Sequence, residues 1–170
     1  PVFVFNRAPA SAFASCLVGS ERCIRGRLED LLYEAIWQPD PTRLLPREVI
    51  RLPALRCYVE AFGSRDGDCC LVAEIGGQVA GAAWSRCLHG FGWVGEGIPE
   101  LAVALFSPYR GRGIGTRLLQ AMLNELRRRG FAGVSLSVQR DNPAARLYVR
   151  LGFRVFEERD GEWVMRCELR

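Results

Sequence analysis

The residues best suited to chemistry lie in the run SPYRGRGIGTRLL, Ser107 to Leu119. Gly111, Gly113 and Gly115 alternate with Arg112 and Ile114, Arg110 precedes them, and an apolar pattern of helical spacing begins at Ile114. A loop entering a helix N-terminus offers unpaired backbone N–H groups and about half a positive charge. Glycine lets an anion approach those groups closely, and the arginines add fixed charge, so the stretch reads as a cradle for phosphate. Two familiar cradles do not fit. A nucleotide-hydrolase phosphate loop needs Gly-Lys followed by Ser or Thr, and this chain has no lysine. A dinucleotide turn needs G-x-G-x-x-G and an acidic residue ending the next strand; here the spacing is G-x-G-x-G and that strand ends in Val138-Gln139-Arg140.

The elements that must position this loop are legible on both sides of it. ELAVALF, Glu100 to Phe106, reads as the strand leading in, and Ile114, Leu118, Leu119, Met122, Leu123 and Leu126 form the stripe of the helix leading out. Arg127, Arg128 and Arg129 suit the negative end of that helix, and Gly130 stops it. GVSLSV, Gly133 to Val138, alternates as a strand, and Asn142-Pro143 starts a short helix running through Leu151. FRVFEE and EWVMRCEL are strands joined by a tight Asp160-Gly161 turn. Upstream, VFVF (Val2–Phe5) reads as a first strand and Glu21 to Trp37 as a helix. Pro46 to Phe62 carries a second, less regular helical pattern interrupted at Pro53, and two strands flank Gly76-Gly77. The expected class is α/β: a mixed sheet of about seven strands with helices on both faces, and a parallel strand–helix–strand unit around 100–138.

The totals narrow the function. The 170 residues suit one domain, 1–170, and 49% hydrophobic with 25% charged residues is an ordinary globular balance. No apolar run approaches the ~18 residues of a membrane span. The opening PVFVFNRAPASAFASCLVGS is apolar in places without the ordered parts of a secretory signal, so a cytoplasmic protein is expected. The net charge is +4, and all 23 basic residues are arginine, which excludes a lysine nucleophile or Schiff base. They are dispersed along the chain, so neither nucleic acid nor membrane is expected as a partner. Seven cysteines without a C-x-x-C pair fit reduced thiols and no metal. His89 is the only histidine, in a loop, where a solvated side chain is the ordinary outcome.

With the flanking elements in place, RGRGIG resembles the R/Q-x-x-G-x-G/A loop of the GNAT superfamily, the GCN5-related N-acetyltransferases. ELAVALF, the following helix, GVSLSV and NPAARLYVRLGF occur in that family's order. The resemblance implies the GNAT-type acyl-CoA N-acyltransferase fold with acetyl-CoA as cosubstrate and no metal. The pyrophosphate would lie on the loop Arg110, Gly111, Arg112, Gly113, Ile114, Gly115 and Thr116. The pantetheine arm would lie along Leu105, Phe106 and Ser107, with Asn142 beside it. Glu100 resembles the family's catalytic base, direct or through water, and Tyr148 the tyrosine that faces the sulfur.

The acceptor implied is a primary amine (a small amine, an amino acid or a peptide N-terminus) attacking in a ternary complex, in a monomer or homodimer. Tyr33, Trp37, Phe91 and Trp93 are candidate walls for it, and Glu34, Asp40 and Glu96 candidate attractors of its charge. The alternative is a module that binds acetyl-CoA without turnover. An unperturbed glutamate at pKa ~4.3 is a weak base for an alkylammonium near ~10, so Glu100 needs burial, a water relay or a partly neutral substrate.

Overall fold

A computed structural model describes residues 3–5, 21–40 and 42–169 of the chain. Val2 of the expected first strand, and the apolar run before residue 21, lie outside the described residues. The strands are β1 (Phe3–Phe5), β2 (Cys69–Ile75), β3 (Gln78–Arg86), β4 (Glu100–Leu105), β5 (Gly133–Gln139), β6 (Arg154–Arg159) and β7 (Glu162–Glu168). The helices are α1 (Glu21–Ala35), α2 (Pro53–Arg56), α3 (Ile114–Arg128) and α4 (Ala145–Arg150). The strands form one sheet in the order β1-β2-β3-β4-β5-β7-β6. Its neighbours are antiparallel except β4 and β5, which are parallel, as α3 between them requires.

Each face of the sheet has its own core. The stripe of α3 sits against Leu71, Leu101, Val134, Leu136 and Met165, with Leu118, Leu119, Met122 and Leu126 fully excluded from water. Each such side chain contributes roughly 1.5–3 kcal/mol relative to exposure. On the opposite face Leu28, Leu31 and Leu32 of α1 pack with Tyr58 and Phe62 against Ala82, Trp84 and Ala104. α3 stops as the sequence indicates. Gly130 takes φ 85°, its N–H reaches Arg127 O at 3.0 Å, and Phe131 N–H reaches Leu126 O at 3.1 Å.

The segment between Pro46 and Phe62 departs from the helical expectation. A 3-10 turn, Arg47–Arg51, ends at Leu52, and only the four residues of α2 are α-helical before a series of turns. Pro53 is the cause, because it forces its predecessor out of the helical region: Leu52 stands at φ −59°, ψ 135°. These turns bring Tyr58 and Phe62 under α1 and carry the chain to the sheet edge of the site.

Candidate active site

The site begins where the sheet stops being a sheet. Between β4 and β5 the register holds for one pair, Glu100 with Ser135, fixed by Ser135 N–H donating to Pro99 O at 3.0 Å. Beyond that pair the strands part. On the other edge of β4, Phe106 N–H donates to Ala80 O at 3.0 Å, which sets the antiparallel alternation with β3. Alternate residues therefore turn their backbone groups the other way, and those of Leu101, Val103 and Leu105 face the opening where β5 has left. A cleft of about 280 Å³ occupies it, lined on one side by Leu101, Ala102 and Val103 and on the other by Ser137, Val138 and Gln139.

At the far end of β4 the chain passes through a 3-10 turn, Ser107–Tyr109, into the glycine loop. Gly111 and Gly113 both sit at positive φ, 73° and 74°, and a Cβ at either would meet nothing within 4 Å, so their backbone lies open. Gly113 caps α3, and Arg117 N–H reaches back to Gly113 O at 3.2 Å. The N–H groups of Ile114, Gly115 and Thr116 precede that first helical bond and belong to the unpaired set of a helix N-terminus. No acidic residue stands in that first turn, and Arg112 is exposed beside it. Arg110 is engaged elsewhere: its Nε donates to Leu105 O at 3.0 Å and its terminal nitrogen to a carboxylate oxygen of Glu34 at 2.7 Å. It ties the end of β4 to α1.

Glu100 lies at the closed end of the cleft, 2% exposed. Its Oε2 accepts from Tyr58 O–H at 2.6 Å and Gly92 N–H at 2.9 Å, and its Oε1 from Gly90 N–H at 2.6 Å. The HGFGW stretch thus wraps two backbone donors around one carboxylate. Glycine is required at both places, for a Cβ at Gly90 would lie 2.4 Å from Tyr58 Oη and one at Gly92 2.7 Å from the Leu136 carbonyl carbon. Burial pushes the Glu100 carboxyl above its ordinary range, against the opposing pull of these three hydrogen bonds. Tyr58 accepts from Phe91 N–H at 2.9 Å, and burial with the neighbouring carboxylate keeps its phenol protonated.

The turn bearing Tyr58 is itself held from below. Arg86, 1% exposed, forms a bidentate pair with Asp68 at 2.7 and 2.8 Å and donates to the carbonyls of Cys57, Glu60 and Ala61. Asp68 also accepts from Gly63 N–H and Arg65 N–H. Every strong donor of this buried guanidinium faces an acceptor, which a buried charge requires.

Tyr148 enters from α4 on the other wall of the cleft. Burial pushes its phenol up to about 12, its ring meets Phe153 edge-on with centroids 5.8 Å apart, and among the described residues nothing hydrogen-bonds its hydroxyl. Asn142, also on the cleft, accepts from Ala144 N–H at 2.9 Å and so caps the turn that opens α4.

A glycine-rich helix N-terminus after a strand that parts from its parallel neighbour is a backbone arrangement that recurs in known proteins. A profile described as the acetyltransferase (GNAT) family matches residues 30–153. The chain belongs to that family. An acetyltransferase of the GNAT family from Staphylococcus aureus Mu50 superposes over 100% of both chains with a TM-score of 0.66 at 15% identity. An N-acetyltransferase from Thermoplasma acidophilum, solved with coenzyme A, covers 99% of each chain with a TM-score of 0.65 at 14% identity. An acetyltransferase from Salmonella typhimurium, solved with acetyl-CoA, covers 100% of this chain and 95% of its own with a TM-score of 0.59 at 22% identity. Such distant likenesses speak to the fold. In sequence, 73 residues are 45% identical to the mycothiol acetyltransferase of Corynebacterium glutamicum, spanning 40% of this chain and 25% of that protein. Fifty-two residues are 44% identical to N-alpha-acetyltransferase 30 of Schizosaccharomyces pombe, or 30% of this chain and 35% of that one. The shared stretch is thus about a quarter to a third of these relatives' length.

Within this GNAT fold the candidate residues fall into three places. Glu100, Tyr148 and Asn142 share the cleft. Gly111 to Thr116 form the open helix N-terminus. Leu105, Phe106 and Ser107 join the two, although the backbone groups of Phe106 are already used, its N–H by Ala80 O and its C=O by Tyr109 N–H. Of the expected acceptor walls, Trp37 and Phe91 line the cleft. Tyr33 turns away to donate to Leu45 O at 2.6 Å, and Trp93 lines a separate cavity with His89, Cys57 and Cys87. His89 is exposed, paired with Glu96 at 3.0 Å. Glu34 is held by Arg110 and Asp40 by Thr42 of its own turn. Sequence reasoning missed Tyr58, Gly90, Gly92, the Arg86–Asp68 pair and Glu162, which also lines the cleft. Only the G-x-G of HGFGW carried a visible signal. Among the described residues there is no grouping of His, Cys, Asp and Glu able to hold a metal, and no helix long and apolar enough to cross a membrane.

Proposed function

We propose that the protein transfers the acetyl group of acetyl-CoA to a primary amine, the two substrates bound together. The observation that carries this reading is the parting of β4 from β5 past the Glu100–Ser135 pair, with the open glycine turn at the far end of the same strand. The donor set fits that cosubstrate. An extended amide-bearing arm needs backbone partners in a row, and Leu101 and Val103 present them to the cleft, with Leu105 N–H next along the same edge. A diphosphate needs converging N–H groups free of side-chain bulk, and Gly111, Gly113 and the start of α3 provide them. The names of the solved and sequence-level relatives, acetyltransferases throughout, support the same reading.

Acetyl-CoA supplies an acyl group already activated as a thioester, so the protein's tasks are positioning and proton handling. Leu105 N–H is our candidate for stabilising negative charge on the carbonyl oxygen, its own C=O being fixed by Arg110. Glu100 receives the amine's proton. Raised above the usual carboxylate range by burial, it is better matched to an ammonium than an exposed glutamate. It has one unfilled acceptor position beyond its three fixed donors, which suits a relay through a single water. Tyr148 donates a hydrogen bond toward the sulfur side. Against a thiol near ~8.5, a phenol pushed to about 12 faces an uphill transfer of about 5 kcal/mol, so it shares its proton rather than surrendering it.

Calorimetric titration with acetyl-CoA and CoA, followed by thiol release across an amine panel, tests the reading. Tight binding with turnover supports it. Binding without turnover on any amine points to a sensing module, and no binding overturns it.

A further inference from the structure

Glu100 is not the cleft's only carboxylate. Glu162, at the start of β7 beside the Asp160-Gly161 turn, lines the same cavity. Its neighbours in the hairpin are neutralised: Glu157 by Arg159, Glu158 by Arg140 and Glu168 by Arg166. The Glu162 side chain has neither a hydrogen bond nor an ion pair among the described residues, although it is only part-exposed; Arg159, opposite it across the β6–β7 hairpin, is bonded to Glu157 instead.

The register places it relative to Glu100. Ser135 of β5 pairs with Glu100 and Gln139 of β5 pairs with Glu162, and paired or alternate residues share a face of the sheet. Both carboxylates therefore stand on the face covered by α1, separated along β5 by about 13 Å. Ser137 and Gln139 lie between them on the sheet, and the wall facing the sheet is largely apolar: Ile36 and Trp37 from the end of α1, Leu45 and Val49 from the following segment, and Phe91 from the loop. Leu45 and Phe91 remain 43% and 45% exposed, apolar surface open to a bound spacer.

Resting on the acetyl-transfer reading, we infer that the acceptor is an elongated amine with a second cationic group across an apolar spacer. The reacting amine meets Glu100, the spacer lies on Trp37, Leu45 and Phe91, and the distal cation pairs with Glu162. Charge complementarity decides the two ends, since Glu100 is already engaged by three donors and Glu162 is the carboxylate left to receive a cation.

The test is calorimetric titration of CoA-loaded protein with octamethylenediamine, octylamine and glucosamine, with turnover measured in parallel. The diamine is expected to bind about tenfold more tightly than the monoamine, a charge-assisted contact at a part-exposed site. Glu162→Gln is expected to erase that difference and leave octylamine affinity unchanged. Equal affinities, an advantage for glucosamine, equal loss for both amines in Glu162→Gln, or no amine binding at all would overturn the inference. The same amine titrations on protein without CoA, beside a titration with acetyl-CoA alone, separate the two readings: a diamine preference that persists where acetyl-CoA does not bind removes acetyl transfer and leaves the amine site standing.

Discussion

Tyr58 donates its hydroxyl proton to Glu100 Oε2 at 2.6 Å, across 42 residues of sequence, and the same oxygen of Tyr58 accepts from Phe91 N–H. One phenol therefore ties the turn after α2, the 88–99 loop and the first residue of β4 into a single arrangement. Tyr58→Phe should lower stability by about 1.5–3 kcal/mol, since it removes a hydrogen bond to a buried carboxylate and leaves Phe91 N–H unpaired. It should also remove one of the contacts that hold the Glu100 carboxyl down, so the acid limb of kcat/KM should move to higher pH. A thermal melt and a pH–rate profile check the two parts. A melt that falls without any movement of the acid limb would leave Tyr58 a structural residue only.

Glu100 gives a second pH signature. Burial, its largest influence, raises it above the ~4.3 of a free glutamate despite three opposing hydrogen bonds. Activity that depends on its carboxylate should fall on the acid side at a pH above that of an exposed glutamate, and Glu100→Gln should lack this limb. The effect on stability has the sign of a raised carboxyl. Glu100's contribution is fully present below the unfolded pKa and is lost as pH rises through the folded pKa. Denaturant midpoints of wild type and Glu100→Gln should accordingly shift in the variant's favour with rising pH across that window.

Tyr148 should behave differently. With its phenol pushed up to about 12, it stays protonated across the working range and contributes no alkaline limb of its own. Tyr148→Phe keeps the ring against Phe153 and removes only the hydroxyl, which has no hydrogen-bond partner among the described residues. CoA affinity and the melting temperature should stay near wild type while kcat falls about 100- to 1,000-fold, the worth of a donor lost at the reacting centre. Single-turnover kinetics with a CoA titration on the same sample distinguishes this from a binding defect.

How much of this was legible in the sequence follows from how local each signal is. The strands, α1, α3, α4 and the Asp160-Gly161 turn show in side-chain period and in glycine and proline placement, which act within a few residues. The parallel pairing of β4 and β5 follows from the helix between them. Their parting cannot be read from periodicity, because ELAVAL and GVSLSV alternate as regularly as paired strands do; the structure shows it as a register limited to one pair. The clamp on Glu100 was hidden for another reason. Tyr58, Gly90 and Gly92 lie in segments without periodicity, and their convergence depends on the turns that Pro53 imposes and on Arg86 reaching three carbonyls from the end of β3. Arg110 carries contacts that the motif does not announce. As an arginine at the loop it reads as an anion ligand, and in the structure its guanidinium contacts Leu105 O and Glu34.

That assignment sharpens what the glycine loop must do alone. If Arg110 serves the scaffold, phosphate recognition rests on the backbone N–H groups after Gly111 and on Arg112. Gly113→Asp places a carboxylate at that convergence, where a Cβ has nothing within 4 Å, so sterics are spared and only the left-handed φ of 74° costs stability. Gly113→Ala carries the same backbone strain, roughly 1 kcal/mol, without the charge. The alanine variant should retain CoA binding within a few-fold, while the aspartate variant should lose on the order of hundredfold or more, because like charges a few ångströms apart repel by several kcal/mol near a protein surface. Dephospho-CoA and pantetheine locate the effect: the first keeps the diphosphate and should feel the aspartate as CoA does, and the second lacks it and should not. Equal losses for alanine and aspartate would mean that the loop's geometry, rather than its field, governs binding, and the cradle would have to be sought elsewhere on the strand.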